Sequence, residues 1–186
     1  MDDPKPGPCT TSAPDLVTHI SPAVVLIAAT TINLYQVQER VIHIASSGFL
    51  FDRAGLIFTN AHVAYGFQLI RITLAHGTTV TAQLIGAVLL FDLAVLRIPP
   101  PLRGEFPSVA LGHSDQLRVG KDVLAIGNPL GLDRSVTRGI VSRLDRLLPR
   151  SSVPSVGRCL LRVTGITAGP TGILTLSDWR FATIIG

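Results

Sequence analysis

With 186 residues, the chain is long enough for one full domain or for two small subdomains packed on each other. Hydrophobic residues make up 47% of it and charged residues only 15%, which argues against disorder, and the Val-, Ile-, Leu- and Thr-rich apolar runs favour β-sheet. The net charge of +4 comes mostly from scattered arginines without a dense basic run, so no nucleic-acid partner is predicted.

The N-terminal residues 1–14 are predicted to be a flexible segment. The start, "MDDPKPGPCTTSAPD", is acidic and proline-rich, whereas a secretory signal begins with positive charge and runs quickly into an apolar segment. We therefore expect a cytoplasmic product. The run "AVVLIAA" at 23–29 is shorter than the about 20 apolar residues that a membrane-spanning helix needs, so it predicts a buried strand and no membrane span.

From residue 15 onward, short apolar runs alternate with Gly, Pro, Asp or Asn. Strands at this spacing are typical of an all-β barrel or sandwich, and we predict a first β domain over 15–98. Within it, "AHGTTV" at 75–80 predicts a hairpin turn in which Gly77 supplies the permissive backbone.

A proline-rich stretch, "PPPLRGEFP" at 99–107, is the strongest internal boundary, because three consecutive prolines cannot continue a β-ladder. We predict a linker over 99–105 and a second β domain over 106–186, where apolar runs resume. The two cysteines, Cys9 and Cys159, are far apart and have no metal-ligand spacing, so neither a zinc site nor a disulfide framework is indicated. No metal or organic cofactor is predicted.

His62 and Asp92 are the candidate catalytic pair. His62 lies in "TNAHVA" directly after the strand-like "GLIF", and Asp92 interrupts "LLFDLAVLRI", which is typical of an apolar strand. A carboxylate embedded in such a strand needs a partner. An imidazole oriented by a carboxylate can take the proton of a serine or threonine hydroxyl in acyl-transfer catalysis. From these residues alone the alternative stays open that Asp92 caps a turn and that His62 is a half-buried structural histidine.

Four segments carry a family resemblance, and they follow one another in the family's order: "ISPAVVLI", "SSGFLFDRAGLIFTNAHV", "FDLAVLRI" and "LGHSDQLRVGKDVLAIGNPLGLDRSVTRGIVS". Over residues 15–147 the chain resembles the HtrA/Deg family of chymotrypsin-fold serine proteases. The resemblance implies an all-β, chymotrypsin-like double β-barrel in which His62 is the general base and Asp92 its orienting acid. It also implies an endopeptidase that acts on unfolded or damaged polypeptides and that assembles as a homo-oligomer, a trimer.

The nucleophile loop of that family, Gly-Asn-Ser-Gly-Gly-Pro, does not occur in the chain. At the expected position, 165–170, the sequence is "GITAGP". By the resemblance, Thr167 takes the place of the serine, and the N–H groups of Gly165 and Thr167 take the place of the oxyanion hole. The alternative is a catalytically inactive homologue that binds polypeptide or is a non-functional truncated product.

The C-terminal tail also departs from the family. Only sixteen residues follow the "GITAGP" segment, so we predict an incomplete second barrel and no PDZ domain. Two origins stay open for the sequence beyond residue 148: a diverged homologue whose second barrel has shrunk, or a reading-frame change.

Overall fold

The structure of the chain is a computed structural model. It describes nine stretches of the chain: residues 12–32, 41–89, 92–99, 105–112, 117–127, 135–143, 162–164, 172–176 and 182–185.

A short helix, α1 (Ala13–Ile20), precedes the first strand and leads into a single 3-10 turn, Ser21–Ala23. Ser12 caps the helix by accepting a hydrogen bond from the backbone N–H of Asp15 at 3.4 Å, and a proline occupies the first turn. Leu16 and Ile20 are buried in the domain core. No helix was predicted here from the sequence, and residues 13 and 14, which were predicted to be part of a flexible segment, both lie in α1.

The first half of the chain forms a closed antiparallel barrel of six strands. Its strands pair in the order β1-β2-β3-β6-β5-β4, and β1 closes the barrel on β4 through pairs such as Leu26 with Thr73. The bounds are β1 (Val24–Ile32), β2 (Val41–Leu50), β3 (Leu56–Thr59), β4 (Leu69–Thr73), β5 (Thr79–Val88) and β6 (Leu93–Arg97), with a one-turn helix α2 (Ala61–Ala64) after β3.

The interior of this barrel is filled by branched aliphatic and aromatic side chains that are fully buried: Val25, Ile27, Phe49, Leu50, Ile57, Ile72 and Leu96. Buried and less buried positions alternate along β4 and β6, as expected for strands whose outer face meets solvent, whereas residues 46–50 of β2 are all buried. The predicted strand at 23–29 is confirmed as β1, and the turn at Gly77 is confirmed, with φ +89° and its N–H bonded to the carbonyl of Leu74 at 2.9 Å.

The second half contributes an open, five-stranded antiparallel sheet over the residues that the structure describes. Its order is β11-β10-β7-β8-β9. The bounds are β7 (Asp122–Gly127), β8 (Ser135–Arg143), β9 (Arg162–Thr164), β10 (Gly172–Leu176) and β11 (Ala182–Ile185). The all-β, chymotrypsin-like fold is thus confirmed, and the described residues form one closed barrel and one open sheet. The incompleteness of the second barrel stays a prediction, because parts of the second half lie outside the described residues.

The two halves share a hydrophobic core. Leu124 and Ile126 of β7 belong to the same buried cluster as the barrel interior. Beyond the predicted linker, the backbone N–H of Phe106 bonds to the carbonyl of Arg53 and that of Val109 bonds to the carbonyl of Leu50. The chain therefore stays attached to the barrel as it enters the second half. Within the described part of the chain, no helix has the length and apolar character that a membrane crossing requires.

Candidate active site

His62 lies on α2, the one-turn helix that follows β3. Its helical neighbours Ala61, Val63 and Ala64 are all buried, so this turn packs its apolar side onto the barrel. The imidazole, by contrast, is 41% exposed. His62 is therefore not a core histidine, which favours the catalytic interpretation over the structural one.

Asp92 lies in the turn directly before β6, which begins at Leu93. Of the two positions that the sequence left open for Asp92, inside an apolar strand or in a turn, the structure shows the turn. Its backbone has φ +52°, the left-handed region, which costs a non-glycine residue about 1 kcal/mol or more. A strand residue cannot adopt that conformation, so the chain turns at Asp92 and only then enters the barrel.

The two side chains meet because β3 and β6 are paired strands. Thr59, the last residue of β3, pairs with Ala94 near the start of β6. His62 follows Thr59 by one short turn and Asp92 precedes Ala94 by two residues, so both lie at the same end of this strand pair. A separation of 30 residues in sequence is thereby closed to hydrogen-bonding distance.

His62 makes two short contacts with the carboxylate of Asp92, one through its imidazole and one through its backbone. Nδ1 of His62 lies 2.7 Å from Oδ2 of Asp92, and the backbone N–H of His62 donates to Oδ1 of Asp92 at 2.8 Å. Because the carboxylate only accepts, the proton between them belongs to Nδ1 when the ring is neutral. Nε2 is then the nitrogen that can take a proton from a substrate-attacking hydroxyl.

Asn60 also contacts Asp92, and this contact was not predicted from the sequence. It occupies the N-cap position of α2 without capping it, and its Nδ2 donates instead to Oδ2 of Asp92 at 3.1 Å and to the backbone carbonyl of Asp92 at 3.3 Å. The residue is 97% buried, with 3% of its surface exposed. The sequence signal was a polar amide between a strand and an apolar helical turn, where the side chain needs a partner.

The contact between His62 and Asp92 is partly exposed to solvent, so it adds little to the folding stability of the chain. The side chain of Asp92 is 23% exposed and that of His62 41% exposed. A partly exposed contact between an imidazole and a carboxylate contributes about 0–1 kcal/mol to folding, which barely offsets the backbone strain at Asp92. The arrangement therefore fits a functional role better than a structural one.

The predicted nucleophile Thr167 and the predicted oxyanion-hole residue Gly165 lie outside the described residues. The nearest described strands are β9, which ends at Thr164, and β10, which begins at Gly172. Their roles stay predictions. Within the described ranges, no three His, Cys, Asp or Glu side chains are grouped so as to hold a metal ion.

Comparison with known proteins finds trypsin-like serine proteases. The family model of the trypsin-like peptidase domain matches residues 46–175, which includes His62, Asp92 and the position of Thr167. The chain is 42% identical over 125 residues to a probable periplasmic serine endoprotease, DegP-like, of Halomonas elongata, and 42% identical over 117 residues to the putative serine protease HhoA of Synechocystis.

The chain belongs to the HtrA/Deg family of trypsin-like serine proteases. Among solved structures of this family, it is similar to the HtrA-type protease AlgW with tripeptide, with a TM-score of 0.73 and 28% identity over 92% of this chain and 52% of that one. It is also similar to Deg5, with a TM-score of 0.70 and 31% identity over 90% of this chain and 80% of that one.

The alignments cover a larger share of this chain than of its HtrA/Deg relatives. The alignments span 67% and 63% of this chain but only 26% and 29% of the DegP-like protein and of HhoA. The chain therefore matches about a quarter of the length of these curated relatives. The family match extends to residue 175, beyond residue 147, where the resemblance seen in the sequence ended.

Proposed function

We propose that the chain is a serine-type endopeptidase of the HtrA/Deg kind, which hydrolyses unfolded or damaged polypeptides through an acyl-enzyme. The observation that carries this proposal is the His62–Asp92 pair: a 2.7 Å contact that fixes the imidazole tautomer, on a partly exposed ring. Family membership supports the reaction class.

In the proposed reaction, the hydroxyl of Thr167 attacks the scissile carbonyl while Nε2 of His62 takes its proton. Asp92 holds the ring and stabilises the imidazolium that forms. The N–H groups of Gly165 and Thr167 bind the oxyanion of the tetrahedral intermediate. His62 then gives its proton to the leaving amine, and a water molecule, activated by the same ring, hydrolyses the ester and restores the threonine.

A second candidate function is a catalytically inactive homologue that binds polypeptide. The observation that favours it is the segment "GITAGP", which has no serine at the nucleophile position. The additional methyl group of threonine crowds the attacking oxygen and restricts its rotamers, so turnover by Thr167 is expected to be slow.

Digestion of unfolded casein separates the two functions. The parent chain is compared with His62→Ala, Thr167→Ala and Thr167→Ser, and fragments are followed over hours. The proposal predicts slow cleavage by the parent, faster cleavage by Thr167→Ser, and none by the two alanine variants. Cleavage by Thr167→Ser alone would assign the parent to the second function, and cleavage that survives His62→Ala would refute the proposed site.

A further inference from the structure

We propose that Asn60 is a positioning residue, which holds Asp92 in the orientation that fixes the tautomer of His62. This inference rests on the proposed function for its catalytic meaning, but its geometry stands by itself. Asp92 accepts hydrogen bonds from three consecutive residues, Asn60, Ala61 and His62. Only Asn60 among them bonds through its side chain to both the backbone and the carboxylate of Asp92.

The orientation of the Asn60 amide follows from the chemistry of its partners. The backbone carbonyl and the carboxylate oxygen of Asp92 can only accept hydrogen bonds, so the NH₂ group of Asn60 must face them. One N–H goes to each oxygen. A rotated amide would place Oδ1 against two acceptors and lose both bonds.

The same orientation leaves Oδ1 of Asn60 buried and without a hydrogen-bond partner within the described part of the structure. A buried polar atom without a partner is unfavourable, and folded proteins hold few of them. An apolar side chain would avoid this loss. The presence of an amide at this position is explained if its two donors are needed on Asp92.

The two N–H donors of Asn60 bind two different parts of Asp92, its backbone carbonyl and its carboxylate oxygen Oδ2. One bond holds the carbonyl of a residue with φ +52°, a conformation that persists only when its surroundings determine it. The other holds Oδ2, the oxygen that contacts Nδ1 of His62. Asn60 thus links the backbone turn to the carboxylate orientation, and through the carboxylate it acts on the imidazole.

The test is the tautomer of the neutral His62 ring, which needs no turnover. In a ¹⁵N-histidine-labelled full-length chain at alkaline pH, two-bond proton–nitrogen correlations distinguish a protonated from an unprotonated ring nitrogen. The parent is expected to show His62 with the proton on Nδ1. Asn60→Ala, and Asn60→Leu, which keeps more of the side-chain volume, are expected to show a mixture of both tautomers.

The matched control is Thr59→Val. Thr59 is the preceding residue, is fully buried, and donates its hydroxyl to the carbonyl of Ser47 at 3.1 Å without a described bond to Asp92. The Thr59→Val substitution removes a buried hydrogen bond one residue away from Asn60. In this variant the proton of the neutral His62 ring is expected to stay on Nδ1, as in the parent. If a folded Asn60 variant keeps the parent tautomer, the inference is overturned.

If circular dichroism shows that neither Asn60 variant is folded, the exchange of the Asn60 side-chain amide protons is measured in the parent chain instead. Both side-chain amide protons of Asn60 are then expected to be protected from exchange with solvent, and unprotected protons would overturn the inference. The proposed function fails separately: a chain that fixes the His62 tautomer through Asn60 but never cuts casein keeps this inference and loses the protease activity. In a chain that cuts, Asn60→Ala is expected to lower kcat about tenfold with KM unchanged.

Discussion

Asp92 is the residue on which the geometry of the site depends most. It accepts hydrogen bonds on its carbonyl and on both carboxylate oxygens, and it does so from a left-handed backbone conformation. His62, in contrast, lies on an ordinary helical turn. The direction of the imidazole is therefore set by the residue that precedes β6 rather than by the helix that carries the ring.

Replacement of Asp92 by asparagine tests this dependence. The substitution keeps the size of the side chain, but an amide at this position can donate to Nδ1 and would favour the other tautomer. In an active chain we expect kcat to fall on the order of 10⁴-fold, as for the same change in the chymotrypsin-type triad. Steady-state cleavage of a peptide substrate measures it, with Asp122→Asn on β7 as the control, since Asp122 pairs with Arg138 and not with the site. A parent-like kcat in Asp92→Asn would contradict the assigned role.

The elements that place the two side chains are β3 and β6, and the packing beneath them is tight. Gly48 of β2 lies where a Cβ atom would come within 2.7 Å of Cδ1 of Ile27 and 2.8 Å of the carbonyl oxygen of Phe58 in β3. Glycine is thus required by close approach of two strands and not by its backbone conformation. Close packing therefore explains the glycine in "SSGFLF", a segment that also carries the family resemblance.

Gly48→Ala is expected to destabilise the barrel by about 1–3 kcal/mol, because the added methyl group must displace a neighbouring strand. The control is Gly86→Ala on β5, where an added Cβ would meet nothing within 4 Å. Urea unfolding of the two variants and the parent gives the free energies. Equal stability of both variants would show that the strands at Gly48 have room to move.

At the scale of the whole molecule, the barrel and the open sheet are joined by one core. Ile126 of β7 is fully buried in the cluster that fills the barrel, and Val109 is bonded to the backbone of β2. Unfolding of one half would expose apolar surface of the other. We therefore expect both halves to unfold together.

Two intrinsic probes test this cooperativity. Tyr65 follows α2 in the first half, and Trp179 is the sole tryptophan and lies between β10 and β11 in the sequence. Their fluorescence changes are expected to share one midpoint in urea. Ile126→Ala should lower that midpoint for both probes, whereas Ile140→Ala, at a position 45% exposed, should leave it nearly unchanged. Two separated transitions would contradict a shared core.

The sequence predicted the strands of the first half well because they are short apolar runs ended by turn residues, such as β1 and the turn at Gly77. These runs left a barrel or a sandwich open, and the family resemblance implied the barrel. The sequence missed α1 because eight residues with two buried side chains give a weak helical pattern. It left the position of Asp92 open between a strand and a turn, because the residues around it are apolar, and the hydrogen bonds that Asn60 and Ala61 donate to the carbonyl of Asp92 come from a distant part of the chain. The contact of Asn60 with Asp92 could not be predicted, since it joins positions 32 residues apart.

A phosphorylating inhibitor tests whether the His62–Asp92 pair activates the hydroxyl of Thr167. The chain is incubated with diisopropyl fluorophosphate, which loses fluoride as a nucleophilic oxygen bonds to phosphorus, and tryptic peptides are fragmented by mass spectrometry. We expect an adduct on Thr167, within the peptide 163–180, that is absent in His62→Ala. An unmodified parent chain, or an adduct that forms equally without His62, would contradict it.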